Sequence, residues 1–184
     1  MSTSAEATAG PAGGLVLRQV GYDDPVAAEL VERVQQEYVR RYGGRDEAVV
    51  DPAEFSPPGG LFLVAEIDGQ PAGCGGWRVH GPGEVELKRM YVEPSMRRRG
   101  VAVAVLHALE QAAVRAGHRR MVLNSGDRQP EALALYERAG YTPVDGYGIY
   151  AGSPEAVFLG RELPEPGPPG RVPGADGQEQ SWAS

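Results

Sequence analysis

Apolar residues along this chain recur in two rhythms, a period of two and a period near 3.6, and the switches between them mark the predicted elements. Residues 15–20 read as a first strand. Pro25 then opens a helix, with Asp23 and Asp24 as cap candidates. Ala27, Leu30, Val31, Val34 and Tyr38 share one face of it, and Gly43-Gly44 stops it. Residues 45–60 hold Pro52, Pro57 and Pro58 and read as a loop. Residues 61–67 and 72–79 flank Asp68-Gly69, a hairpin signal. Gly81-Pro82-Gly83 turns the chain into a strand over 84–92. A helix over 101–116 carries Ala102, Leu106, Leu109 and Ala113 on one face and ends at Gly117. A strand over 120–124, a short helix over 130–139 closed by Gly140, and two last strands at Tyr141 and over 156–163 complete the series.

This order predicts a mixed α/β (α+β) sheet flanked by helices on both faces. The hairpins imply antiparallel pairing, and the strand–helix–strand unit over 84–124 implies one parallel pair through a right-handed crossover. The ends differ in composition. Residues 1–13 are small and polar, and residues 164–184 carry Pro164, Pro166, Pro168, Pro169 and Pro173 among glycines. Both are expected to be disordered tails around one domain over 14–163.

The strand over 84–92 breaks its own rhythm. Val85 and Leu87 alternate with Glu84, Glu86 and Lys88, but Arg89 is polar where an apolar residue is due, and Met90 and Val92 follow out of phase. Such a slip fits a β-bulge, which leaves a backbone N–H free for a ligand, or a strand buried on both faces. The run Arg97, Arg98, Arg99, Gly100 next joins this strand to a helix. The first N–H groups of a helix lack intrahelical partners, and its dipole favours an anion there. A glycine at the turn lets backbone approach a phosphate closely.

Composition narrows the classes. Of 184 residues, 41% are hydrophobic and 23% charged, as in ordinary globular proteins. A formal net charge of -7 speaks against a nucleic-acid partner and is compatible with a cationic acceptor. No apolar stretch reaches the roughly 20 residues needed to span a bilayer, and the N-terminus does not read as a secretory signal. No membrane partner is therefore expected. A lone cysteine, Cys74, permits no intrachain disulfide and fits a cytoplasmic location. It reads as a small core residue rather than an acyl-carrying nucleophile. His80, His107 and His118 show no metal-ligand spacing, so no metal is expected.

Two motifs at compatible spacing resemble the GNAT superfamily, the acetyl-CoA-dependent N-acyltransferases. Its loop, Q/R-x-x-G-x-G/A, is matched by Arg97, Gly100 and Ala102. Its later motif, A-x-x-L/F-Y-x-x-x-G-F/Y, is matched by Ala132, Leu135, Tyr136, Gly140 and Tyr141, with Gln129 where an Asn commonly begins it. The resemblance implies a partly splayed central sheet and acetyl-CoA as cosubstrate. Backbone at Met90, Tyr91 and Val92 would pair with the pantetheine arm, and the Met90 N–H would face the thioester carbonyl. Arg97, Arg98, Arg99, Gly100, Val101, Ala102 and Val103 would hold the pyrophosphate, and Gln129 would add a cofactor contact.

The resemblance also implies Glu86 as general base, with Glu84 as the second candidate, and Tyr136 as proton donor to the leaving thiolate. Read without it, Glu86 is an ion-pair partner of a nearby Lys or Arg, and Tyr136 is a packed helix residue. Tyr38, Tyr42 and Tyr147 are the acceptor-side candidates, with Arg41 and Tyr150 near them. The expected reaction is direct attack of a small primary amine on acetyl-CoA in a ternary complex. The alternatives are a protein N-terminus or lysine as acceptor, or a non-catalytic acyl-CoA-binding module. Monomer and homodimer both stay open.

Overall fold

Asp24 starts the first helix by accepting hydrogen bonds from the Val26 and Ala27 N–H groups, at 2.9 and 3.2 Å. Gly43, in the left-handed region, ends it. The computed structural model describes residues 8–9 and 14–165. Its helices are α1 (Pro25–Tyr42), α2 (Val101–Arg115) and α3 (Pro130–Arg138). Its strands are β1 (Thr8–Ala9), β2 (Leu15–Val20), β3 (Gly60–Ile67), β4 (Gln70–Gly81), β5 (Glu84–Val92), β6 (Arg120–Gly126), β7 (Thr142–Pro143) and β8 (Ala156–Glu162).

These strands form one mixed sheet in the order β1-β2-β3-β4-β5-β6-β8-β7. Among the described residues only β5 and β6 pair in parallel, joined by the α2 crossover, as the strand–helix–strand pattern predicts. Part of the stretch over 1–13 is described. Thr8–Ala9 pairs with Leu17 and Val16 as an edge strand. The rest of that stretch, and residues 166–184, lie outside the described residues.

The sheet carries a core on each face. α1 covers one with Ala27, Leu30 and Val34 against Phe62, Val64, Cys74 and Tyr91. α2 and α3 cover the other, where Val105, Leu109 and Tyr136 join Leu63, Val85, Leu87 and Leu123. A buried polar link ties this second layer together. Glu110 on α2 accepts from the Tyr141 hydroxyl at 2.9 Å and from Arg161 on β8 at 2.9 and 3.0 Å. A carboxylate buried there is tolerated because both oxygens are paired.

The phase slip of β5 is a β-bulge. Opposite β4, Cys74 pairs with Tyr91 and Gly76 with Lys88, so Arg89 and Met90 together oppose Gly75. Arg89 takes a left-handed φ of 60°. Lys88 and Arg89 consequently point in succession to the α1 face, and Met90 and Val92 return to the other core. Gly75 is what admits Met90. A Cβ at Gly75 would lie 2.6 Å from Met90 Sδ and 3.2 Å from both Leu109 Cδ1 and Val105 Cγ1. Gly75→Ala is therefore expected to destabilise the fold by about 1–3 kcal/mol. Urea unfolding of the two proteins checks this, and an unchanged midpoint would refute it.

Candidate active site

The bulge has a consequence for the neighbouring strand. A bulge increases local twist, and β5 parts from β6 where it begins. Their parallel register runs from Glu84 opposite Arg120 to Leu87 opposite Leu123, yet β5 continues to Val92 and β6 to Gly126. The wedge between them opens into a cavity of about 840 Å³ that reaches from the α1 side of the sheet to the α3 side. Met90, Tyr91 and Val92 lie on one wall, and Gln129 and Tyr136 on the other. A second cavity of about 250 Å³ adjoins it on the α1 side, and Tyr38, Asp46, Lys88, Asn124, Ser125 and Gln129 line both.

At one end of the larger cavity lies the turn into α2. Arg98 and Gly100 both take left-handed φ, 61° and 78°. The first backbone bond of the helix runs from Ala104 N–H to Gly100 O at 3.0 Å. Among the described residues, the N–H groups from Arg98 through Val103 find no acceptor. Such a row of free N–H groups, at a helix N-terminus and in a turn of this geometry, is an anion cradle. Arg98, Gly100, Val101, Ala102 and Val103 line the cavity here. The residues present thus fit a pyrophosphate-bearing ligand. Arg97 also lines it, but its guanidinium donates to Val92 O at 3.3 Å and pairs with Glu37 of α1 at 3.1 Å. Arg99 departs from expectation: it lines neither cavity, and its guanidinium turns back to Met96 Sδ at 3.2 Å.

Tyr136 is buried, and burial pushes its hydroxyl pKa up, with Tyr38 adding to the shift. It packs against Tyr141 at 5.7 Å between ring centroids and lines the larger cavity. The packed ring thus also lies on the cavity side of α3. Among the described residues that hydroxyl makes no protein hydrogen bond.

Glu86 is 5% exposed and lines neither cavity. Its carboxylate lies 3.1 Å from Arg78 Nε and 3.8 Å from Lys88 Nζ. Lys88 stands between Glu86 and the cavities, because the residues before the bulge alternate and both face α1. Glu84 is also tied up, by His80 at 2.6 Å and Arg120 at 3.2 Å.

The three acceptor-side tyrosines separate. Tyr38 lines both cavities. Tyr42 lines the smaller one, and its hydroxyl accepts from the Arg128 N–H at 3.0 Å, pinning the end of α1 to the chain after β6. Tyr147 lines neither cavity. Its ring packs between His80 and Phe158, at 4.5 and 5.1 Å, and its buried hydroxyl makes no hydrogen bond. Burial first, and then the nearby Glu86 carboxylate, push that hydroxyl's pKa up. Tyr150 of the same loop takes the place expected of Tyr147. It lines the smaller cavity, donates to Asp46 at 3.0 Å and accepts from the Glu47 N–H at 2.8 Å.

Asp46 and Lys88 went unnoticed in the sequence. Asp46 Oδ2 lies 2.5 Å from Arg89 Nη1 and 3.5 Å from Lys88 Nζ. Burial alone pushes its carboxyl up, but Lys88 and Arg89 outweigh this and hold it below the usual carboxylate range. For Lys88 a signal existed: a slip at Arg89 requires two successive charged residues on one face. For Asp46 the only local sign is its short turn, in which Oδ1 accepts from the Ala48 N–H at 2.9 Å.

Cys74 is wholly buried, and its thiol donates to the bulge carbonyl of Arg89 at 3.3 Å. Burial pushes its pKa up, so at pH 8 it stays a neutral S–H. It is expected to resist a thiol-exchange reagent such as DTNB in the native protein at pH 8 and to titrate as one thiol in denaturant. Rapid native labelling would refute this.

Residues 27–141 match the Acetyltransferase (GNAT) family. An IAA acetyltransferase of Azospirillum brasilense is 28% identical over 149 residues, 80% of this chain and 97% of that protein. The uncharacterized N-acetyltransferase YjgM of Escherichia coli K12 is 31% identical over 145 residues, 73% of this chain and 86% of that protein. The crystal structure of an aminoglycoside 6'-N-acetyltransferase complexed with coenzyme A superposes with a TM-score of 0.63 at 17% identity, covering 82% of this chain and 98% of that one. With two sequence motifs, a bulged and splayed sheet and a matching family over most of the domain, the chain belongs to the GNAT acetyltransferase family and is an acyltransferase.

Proposed function

We propose that the protein transfers an acetyl group from acetyl-CoA to a primary amine of a small molecule, with both held at once and the amine attacking directly. The observation that carries this reading is the paired arrangement of cavities. The larger runs from a row of free N–H groups to the wedge beside the bulge, and the smaller meets it there. Acetyl-CoA supplies the acetyl group as an activated thioester. The N–H groups from Arg98 through Val103 hold the pyrophosphate, and the edge at Met90, Tyr91 and Val92 receives the pantetheine arm. The Met90 N–H stabilises charge developing on the carbonyl oxygen. Gln129, at the start of α3, lines both cavities and borders the cofactor.

A volume of about 250 Å³ supports a small acceptor. Three carboxylates line this cavity. Asp46 is paired with Lys88 and Arg89, and Glu155 with Arg128 at 2.7 Å. Glu47 makes no ion pair among the described residues and stands at the exposed mouth with the rings of Tyr42 and Tyr150. A carboxylate beside aromatic faces suits an ammonium group.

Tyr136 gives its proton to the leaving thiolate. Glu86 holds Lys88 toward the junction of the cavities, and the proton released by the amine passes to water at the mouth of the smaller one. A carboxylate shared by two cations behind the wall is badly placed for that proton. The rate should therefore rise with pH toward the ammonium pKa of about 10.

A panel of small amines and of peptides with free N-termini or lysines, assayed with acetyl-CoA by thiol release, tests the reading. Turnover of small amines is expected. Turnover of peptides alone moves the acceptor to proteins, and no turnover with tight coenzyme A binding indicates a binding module. Tyr136→Phe should lower kcat by about 10²-fold. Glu86→Gln should cost less than about tenfold, against about 10²–10⁴ for a required general base. A larger loss that also removes the acid limb of the pH profile would return the base role to Glu86. Glu37→Gln frees Arg97 for the phosphates and should tighten coenzyme A binding about two- to fivefold. Weaker binding by calorimetry would contradict that.

A further inference from the structure

Arg89 is a long side chain held where L-residues are seldom found. Its φ of 60° is strained relative to ordinary backbone. Its guanidinium is also buried, with the residue 5% exposed. Such a conformation persists only where its surroundings over-determine it. Its partners are the Tyr22 hydroxyl at 3.3 Å and the Asp46 carboxylate at 2.5 Å. Among the described residues, Asp46 is the one carboxylate paired with it.

Asp46 comes from the loop after α1, not from the sheet. Its backbone N–H donates to Gln35 Oε1 at 2.9 Å, which fixes the loop to the helix. One oxygen takes Arg89 and Lys88, and the other takes Ala48 N–H and the Tyr150 hydroxyl. Three segments far apart in the chain thus meet on one carboxylate, which itself lines both cavities.

We propose that Asp46 is a positioning residue: it pins the Arg89 bulge, and through it the Met90 edge, while holding the Tyr150 loop over the smaller cavity, so that one group sets both seats. This rests on the proposed function for the identity of the ligand in the larger cavity. Binding there orders the bulge, the ordered bulge holds Asp46, and Asp46 holds the two loops. Glu47, Glu155 and the rest of the acceptor wall then feel occupancy of a cavity they do not touch.

The test uses the full chain and coenzyme A, by calorimetry and by amide hydrogen exchange. In the wild type, coenzyme A should slow exchange over residues 47–59 and 148–155. Asp46→Asn keeps the shape but removes the charge. It should raise the Kd for coenzyme A about tenfold and abolish that distant protection. Asp46→Glu should restore part of both. Arg89→Gln should match Asp46→Asn, and the double variant should bind no more weakly than either alone, since the two act as a unit. A merely structural role would lower the melting temperature while leaving the Kd and the protection pattern of the folded fraction intact, and that result overturns the proposal. If Asp46→Asn does not fold, Tyr150→Phe decides. Loss of protection over 148–155 with coenzyme A bound upholds the proposal, and full protection overturns it. A wild type that binds no coenzyme A would remove the proposed function and this inference together, whereas wild-type binding with an unaffected Asp46→Asn removes this inference alone.

Discussion

The ion pair between Arg89 and Asp46 sits beneath nearly every functional feature of the molecule. An unpaired guanidinium at that depth would cost several kcal/mol, and a left-handed arginine is strained besides. With Asp46 in place, β5 keeps one extra residue opposite Gly75. That residue sends Lys88 and Arg89 to the same face and returns Met90 and Val92 to the α2 core. It also twists β5 away from β6 beyond Leu87, where the larger cavity opens. A regular strand would have buried Met90 under α1 and left the sheet closed.

The electrostatics of the site rest on dipoles more than on counted charges. Three consecutive arginines suggest a strongly basic phosphate seat, yet Arg97 is paired with Glu37 and Arg99 turns to Met96. What lines the cavity without an internal partner is the backbone between Arg98 and Val103, together with Arg98, which makes no ion pair among the described residues. Dipoles fixed by the fold need no reorganisation when an anion arrives. Side-chain cations act on a wall already balanced, from Glu37 through Arg41 to Glu131. A chain of net charge -7 can in this way carry an anion cradle without a basic surface.

Much of this was legible beforehand. Strand and helix periods gave nearly all elements, because burial of one face imposes a repeat on consecutive residues. The β5 slip marked the bulge, and the Arg97–Ala102 turn marked the cradle, because both are made within a few residues of one another. The motif that singles out Tyr136 is equally local, and the folded chain sets that residue on the cavity wall. For Glu86, which the resemblance pointed to as the base, whether a carboxylate reaches a cavity depends on the side chains around it, here Lys88 and Arg78. Tyr147 and Tyr150 are alike in composition and only three residues apart, and only the path of their loop separates a packed ring from a cavity wall.

The sequence by itself determined what short range can encode: the order of elements, the start and stop of the first helix near Asp24 and Gly43, the parallel crossover, the slip in β5 and the arginine–glycine turn into α2. Each follows from steric preference, hydrogen bonding or periodic burial among neighbours in the chain. Tertiary structure alone decided that Asp46 meets Arg89, 43 residues away, and Tyr150, 104 residues away. A contact between irregular loops and a strand leaves no repeat in the sequence. It exists only once burial of the Arg89 charge demands a partner, and the folded chain brings Asp46 within reach.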